Sequence, residues 1–83
     1  MEVLYFAWLR ERTGISQETV QPPDGTDTVE KLITWLKGRS AGHAEAFSDL
    51  DVVRVAVNEE YAKLDSPISA GDEVAFFPPV TGG

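Results

Sequence analysis

Apolar positions recur along this chain with two periods, and the changes of period mark out its elements. Glu2-Val3-Leu4-Tyr5-Phe6-Ala7-Trp8-Leu9 is apolar on both alternating faces and rich in aromatic and β-branched types, which predicts a central strand covered on both sides. Arg10 to Ser16 reads as a connection turning at Gly14, and Gln17 to Gln21 as a weaker strand ended by Pro22-Pro23-Asp24-Gly25. The period then lengthens. Val29, Leu32, Ile33 and Leu36 fall at i, i+3, i+4 and i+7, one apolar stripe of a helix over about 27–38. Asp27 is the expected N-cap, with Glu30 completing a capping box and Gly38 ending the helix. Residues 40–51 are polar and irregular, with a short helical turn around Ala44–Phe47. Val52 to Val57 reads as a strand, Asn58-Glu59 as a turn into a short strand near Tyr61-Ala62-Lys63, and Glu73 to Phe77 as the last strand.

The resulting order, β-β-α-β-β-β with one amphipathic helix, describes an α+β domain with a mixed sheet of four or five strands. The helix can cover only one face of that sheet. A hairpin, a crossing helix and a final strand returning beside the first make the β-grasp, or ubiquitin-like, arrangement. Alternation assigns the faces. Arg54 marks the solvent side of its strand, so Val53, Val55 and Val57 should meet the helix, together with Val3, Tyr5, Ala7, Leu9, Val74 and Phe76. Leu4, Phe6, Trp8, Ala56 and Phe77 are left on the uncovered face. Three aromatics on an open sheet exceed the usual scatter of exposed apolar residues and point to partner binding. The competing reading is that residues 40–51 fold over them, or that the face of the first strand is inverted.

Composition narrows the function classes. At 83 residues the chain makes one domain, over 1–77, with a thin core. It has no cysteine, which excludes disulfides, thiolate–metal sites and a cysteine nucleophile. No apolar run is long enough for a membrane helix and the opening residues lack a signal-peptide pattern, so a cytoplasmic location is expected, with no membrane partner. Fourteen acidic against seven scattered basic residues, a net charge of −7, argue against nucleic acid as a partner. That charge suits either a partner with a basic docking face or plain solubility.

The chain closes on Pro78-Pro79-Val80-Thr81-Gly82-Gly83. A closing diglycine arises by chance in roughly one chain in 200 at ordinary glycine usage, so its setting has to give it meaning. Residues 78–83 form a projecting tail. The prolines favour a stiff exit from the sheet, and six residues reach about 20 Å at ~3.3–3.6 Å each. Such a thread can carry the Gly83 carboxylate into another protein's channel. A carboxylate is a poor electrophile until it is made an acyl-adenylate or thioester, and replacing an oxygen by sulfur would make it a nucleophilic thiocarboxylate. No side chain here is placed to perform that activation. His43 reads as an ordinary surface residue, Glu59-Glu60 and Asp72-Glu73 as solvated turn acids, and Trp35 as the flank of the core. No metal site and no bound cofactor are expected, and catalysis must come from partners.

The run Gly71-Asp72-Glu73-Val74-Ala75-Phe76-Phe77-Pro78-Pro79-Val80-Thr81-Gly82-Gly83 resembles the C-terminus of the small subunit of molybdopterin synthase, the MoaD-type sulfur carriers. Val3-Leu4-Tyr5-Phe6-Ala7 followed by Arg10-Glu11, and Ala56-Val57-Asn58, resemble the same family. The resemblance implies a carrier for molybdenum cofactor biosynthesis that is not catalytic alone. An adenylating enzyme of the MoeB type would use ATP to activate Gly83, and a sulfur donor would convert it to the thiocarboxylate. The large subunit, of the MoaE type, would receive the tail and pass sulfur to cyclic pyranopterin monophosphate. Gly83 would then carry the sulfur, and Thr81 and Gly82 would thread the channel. Phe77 would pack at the interface with Leu4, Phe6, Trp8, Pro78, Pro79, Val80 and Arg10. A carrier for thiazole synthesis, a ubiquitin-like modifier of lysines and a plain interaction module are the alternatives.

Overall fold

A computed structural model of the chain describes residues 1–79. In chain order its elements are β1 (Glu2–Tyr5), α1 (Trp8–Thr13), β2 (Gln17–Thr19), α2 (Val29–Lys37), α3 (Ala41–Ala46), a 3-10 turn (Leu50–Val52), β3 (Arg54–Val57), β4 (Glu60–Ala62) and β5 (Glu73–Phe77). The strands form one sheet in the order β2-β1-β5-β3-β4. β1 and β5 run parallel, and the other pairs are antiparallel. The last strand does return beside the first, as the β-grasp requires.

The covered face of the sheet matches the alternation. Val3 lies beside Val74 and Tyr5 beside Phe76 in the parallel pair, with Val55 across from Phe76. These side chains pack on Val29, Leu32, Ile33 and Leu36 of α2, all buried. Phe47 closes the core from the other end, edge-on to Phe76 at 4.9 Å between ring centroids. Burying a side chain of this size contributes about 1.5–3 kcal/mol, which is why one helix stripe and three strand faces suffice for so short a chain.

Four local expectations need correction. β1 stops at Tyr5 and does not run to Leu9. Ala7 adopts φ 54°, ψ −130°, and the N–H of Leu9 donates to the carbonyl of Phe6 at 3.2 Å. This is the first central position of a type II′ turn, where glycine is at home. In alanine it costs about 1–3 kcal/mol. The turn is imposed from both sides: the N–H of Phe6 bonds to Phe76 at 3.1 Å, and Leu9 is fully buried. Leu9 thus reaches the core from α1, while Ala7 is exposed.

The cap of α2 is Thr28, whose hydroxyl accepts from the N–H of Lys31 at 3.3 Å. Asp27 instead pairs with the Lys31 ammonium at 2.9 Å. The segment 40–51 is more ordered than its composition implies. Ser40 caps α3, and Asp49 caps the 3-10 turn. Gly42 lets α3 approach α1 closely, since a Cβ there would stand 2.2 Å from the carbonyl oxygen of Arg12. Finally, Val52 belongs to the 3-10 turn, so β3 starts at Arg54. No helix among the described residues is long and apolar enough to cross a membrane.

Candidate functional site

On the uncovered face the register aligns a row across four strands. Leu4 of β1 lies beside Ala75 of β5, Ala75 beside Ala56 of β3, and Ala56 beside Tyr61 of β4. Small residues at the centre keep the row flat, and large ones stand at its ends. Phe77, two residues beyond Ala75, projects from the same face, and its ring centroid lies 5.9 Å from that of Tyr61. Phe6 follows Leu4 by the same step. Phe6 is 48% and Tyr61 80% exposed, while Leu4, Ala56, Ala75 and Phe77 are half-buried. Residues 40–51 do not fold over this face, because Phe47 packs on Tyr5 and Phe76, which point the other way. An exposed apolar surface held on a rigid sheet has the character that marks interaction sites in general.

The sequence-derived residues divide three ways. Leu4, Phe6 and Phe77 meet on the open face. Trp8 does not join them: the turn at Ala7 carries it onto α1, half-buried, with the Arg12 guanidinium 4.5 Å above its ring. Arg10 is exposed on α1, and Pro78 and Pro79 are half-buried directly after β5. Val80, Thr81, Gly82 and Gly83 lie outside the described residues.

Tyr61 is the open-face residue that periodicity missed, because β4 is only three residues long and its face is set by the hairpin before it. Asn58 and Glu59 both have positive φ, 51° and 70°, as a two-residue type I′ turn requires. With that loop length fixed, Tyr61 must lie opposite Ala56. The Asn58 side chain ties the turn to β5 through the Asp72 carboxylate and the N–H of Glu73, both at 3.0 Å. The hydrogen bond from Asn58, aided by the N–H of Ser69, holds the Asp72 carboxyl below its ordinary range.

A second polar cluster lies on the covered side, and it corrects the reading of His43 as a surface residue. His43 is 6% exposed. Its Nε2 meets Glu18 Oε2 at 2.8 Å, and its Nδ1 meets the Ser40 hydroxyl at 2.7 Å. The Tyr5 hydroxyl donates to the same Glu18 oxygen at 2.7 Å, and Arg39 reaches the other at 3.1 Å. Burial pulls the Glu18 carboxyl up, but the hydrogen bonds from His43 and Tyr5 and the charge of Arg39 outweigh it and hold it below its ordinary value. Burial first, and then the bond to Glu18, push the Tyr5 phenol far up, so it stays a donor. Nucleophile–histidine–acid proximity alone is no active site. Here Ser40 is occupied as the α3 cap, accepting from the His43 N–H at 3.1 Å. Among the described residues every buried side-chain polar atom has a partner, and no group of acids and histidines is arranged for a metal.

A model of the ThiS family matches residues 3–83. The chain belongs to the ThiS family. Within it the chain is similar to the molybdopterin synthase sulfur carrier subunit of Escherichia coli (strain K12), 41% identical over 83 residues, which span 100% of this chain and 99% of the relative. The same subunit of Haemophilus influenzae is 37% identical over 83 residues, with the same coverage. Among solved structures it resembles the small archaeal modifier protein 1 of Haloferax volcanii, 36% identical, with a TM-score of 0.78 over 96% of this chain and 97% of that one. This ThiS-family protein is therefore a sulfur carrier of the molybdopterin synthase type on a ubiquitin-like β-grasp.

Proposed function

We propose that the carrier takes up sulfur as a thiocarboxylate on Gly83 and docks through its open sheet face on the large subunit of molybdopterin synthase. There the tail donates sulfur to cyclic pyranopterin monophosphate, and two deliveries complete the dithiolene. An adenylating enzyme of the MoeB type supplies the activation. The Gly83 carboxylate attacks the α-phosphate of ATP, pyrophosphate leaves, and a sulfur donor then displaces AMP. The carrier's own part is positional: it brings an unreactive carboxylate to enzymes that do the chemistry and holds it in register while they act.

One observation carries this reading. The Leu4–Ala75–Ala56–Tyr61 row, flanked by Phe6 and Phe77, crosses β5, the strand that leads into Pro78-Pro79. A partner seated on that row is placed to receive whatever follows the prolines. A second reading, covalent attachment of Gly83 to target lysines, draws on the similarity to the archaeal modifier protein. It predicts amide-linked adducts, which the carrier reading does not.

Titration of the large subunit with single variants tests the docking surface. Phe77→Ala and Tyr61→Ala each remove an aromatic anchor, worth about 2–4 kcal/mol when fully buried at an interface, so affinity should fall at least about thirty-fold. Melting temperatures should move little for Tyr61→Ala, whose ring lies mostly in solvent. If stability collapses while the affinity per folded molecule stays put, the face belongs to the fold and the proposal is wrong.

A further inference from the structure

The turn between β1 and α1 is imposed by the Phe6–Phe76 hydrogen bond and the burial of Leu9, but nothing within the chain explains why its strained position holds an alanine and not a glycine. Ala7 holds a backbone geometry, φ 54° and ψ −130°, that glycine adopts freely and other residues resist. The methyl group responsible for the strain is exposed, and Ala7 is absent from both the core and the residues packed against it. No packing gain by the methyl itself offsets the cost. Leu9 is buried and Trp8 half-buried, but two neighbours of Ala7 face outward too. Phe6, immediately before it, is 48% exposed at the end of the open face. Arg10, whose N–H donates to the Ala7 carbonyl at 3.1 Å, is exposed on α1.

Strain kept at an exposed position next to a binding surface points to a role outside the fold. We propose that the Ala7 methyl is itself a docking contact, received by an apolar patch of the large subunit just past the C-terminal end of β1. The inference rests on the docking reading above and extends that surface past Phe6 to a residue that adds nothing to the free carrier. The free protein is less stable with alanine than it would be with glycine, and the complex is tighter.

The test combines thermal melting with calorimetric titration of the large subunit, using wild type, Ala7→Gly, and a chemically synthesised chain with Ala7→D-Ala. Glycine removes both the strain and the methyl. D-Alanine favours positive φ, so it relieves the strain and keeps the turn restricted, but moves the methyl to the other side of the Cα. Both variants should melt several degrees higher than wild type. Both should bind the large subunit about four-fold more weakly, the worth of one buried methyl group. Unchanged affinity in both, or no rise in melting temperature, would overturn the proposal. A loss with glycine but not with D-alanine would assign the effect to turn rigidity and also overturn the contact. The two levels of inference fail separately. If Phe77→Ala leaves binding intact, the docking surface itself is misplaced. If only the Ala7 variants do, the surface stands without this contact.

Discussion

Glu18 shows how a single residue can be half legible in a sequence. The sequence places it in a weak strand and says nothing more of it, yet it anchors Tyr5, His43 and Arg39 together. No sequence period could reveal this, because the partners come from β1, α3 and the end of α2, and His43 is brought inward only once Ser40 starts a helix. Its pH consequence has a definite sign. The folded carboxyl lies below its unfolded value, so the stabilisation is fully present above about pH 4.3. It is lost as pH falls through the lowered folded value. Glu18→Ala would leave the buried Tyr5 hydroxyl and the His43 ring without their acceptor, at a cost of about 1–3 kcal/mol at pH 7. Urea unfolding at pH 7 and at pH 3 should show the gap to wild type narrowing in acid. An equal gap at both would mean that packing, and not the carboxylate, is what the variant loses.

Among the elements, α2 and β5 were readable because a single rule governs each: an apolar stripe of period 3.6, and strict alternation. The first strand was misread beyond Tyr5 for a physical reason. Leu9 is buried whether the chain continues as a strand or turns into a helix, so hydrophobicity carries no information about which occurs. The deciding feature is the turn at Ala7, and its residue type argues against the conformation it adopts. α3 was seen only as a turn around Ala44–Phe47 for a similar reason: its six residues are mostly small or polar, and tertiary packing on α1 sustains it. That packing depends on Gly42. Gly42→Ala would drive a methyl into the Arg12 carbonyl, with 2.2 Å between them before anything shifts. The backbones would have to separate, at about 1–3 kcal/mol. Gly71→Ala, with open space around its Cβ position, should change stability by less than about 0.5 kcal/mol. Parallel thermal melts compare the two, and equal effects would show that the α1–α3 contact is looser than drawn.

At the scale of the whole molecule, the division of labour follows from covering one sheet face with helices and leaving the other open. The covered face holds the chain together with Val3, Tyr5, Val74 and Phe76. The open face displays Phe6, Tyr61 and Phe77, and β5 contributes to both before passing into the prolines. This two-sidedness was legible from alternation in β1 and β5, and so was the expectation of a carrier from the closing residues. Tyr61 and the position of Trp8 were not, since each depends on a turn whose geometry alternation does not encode. Net charge −7 leaves the chain suited to a partner with a basic docking face. The central claim, that Gly83 is where sulfur is carried, is tested most directly by intact mass spectrometry. The protein is incubated with ATP, a MoeB-type activating enzyme and a sulfur donor. A mass gain equal to one oxygen replaced by sulfur, abolished when Gly83 is deleted, is the predicted result. No gain with an activator shown to be competent on another carrier, or a gain that survives the deletion, would contradict it.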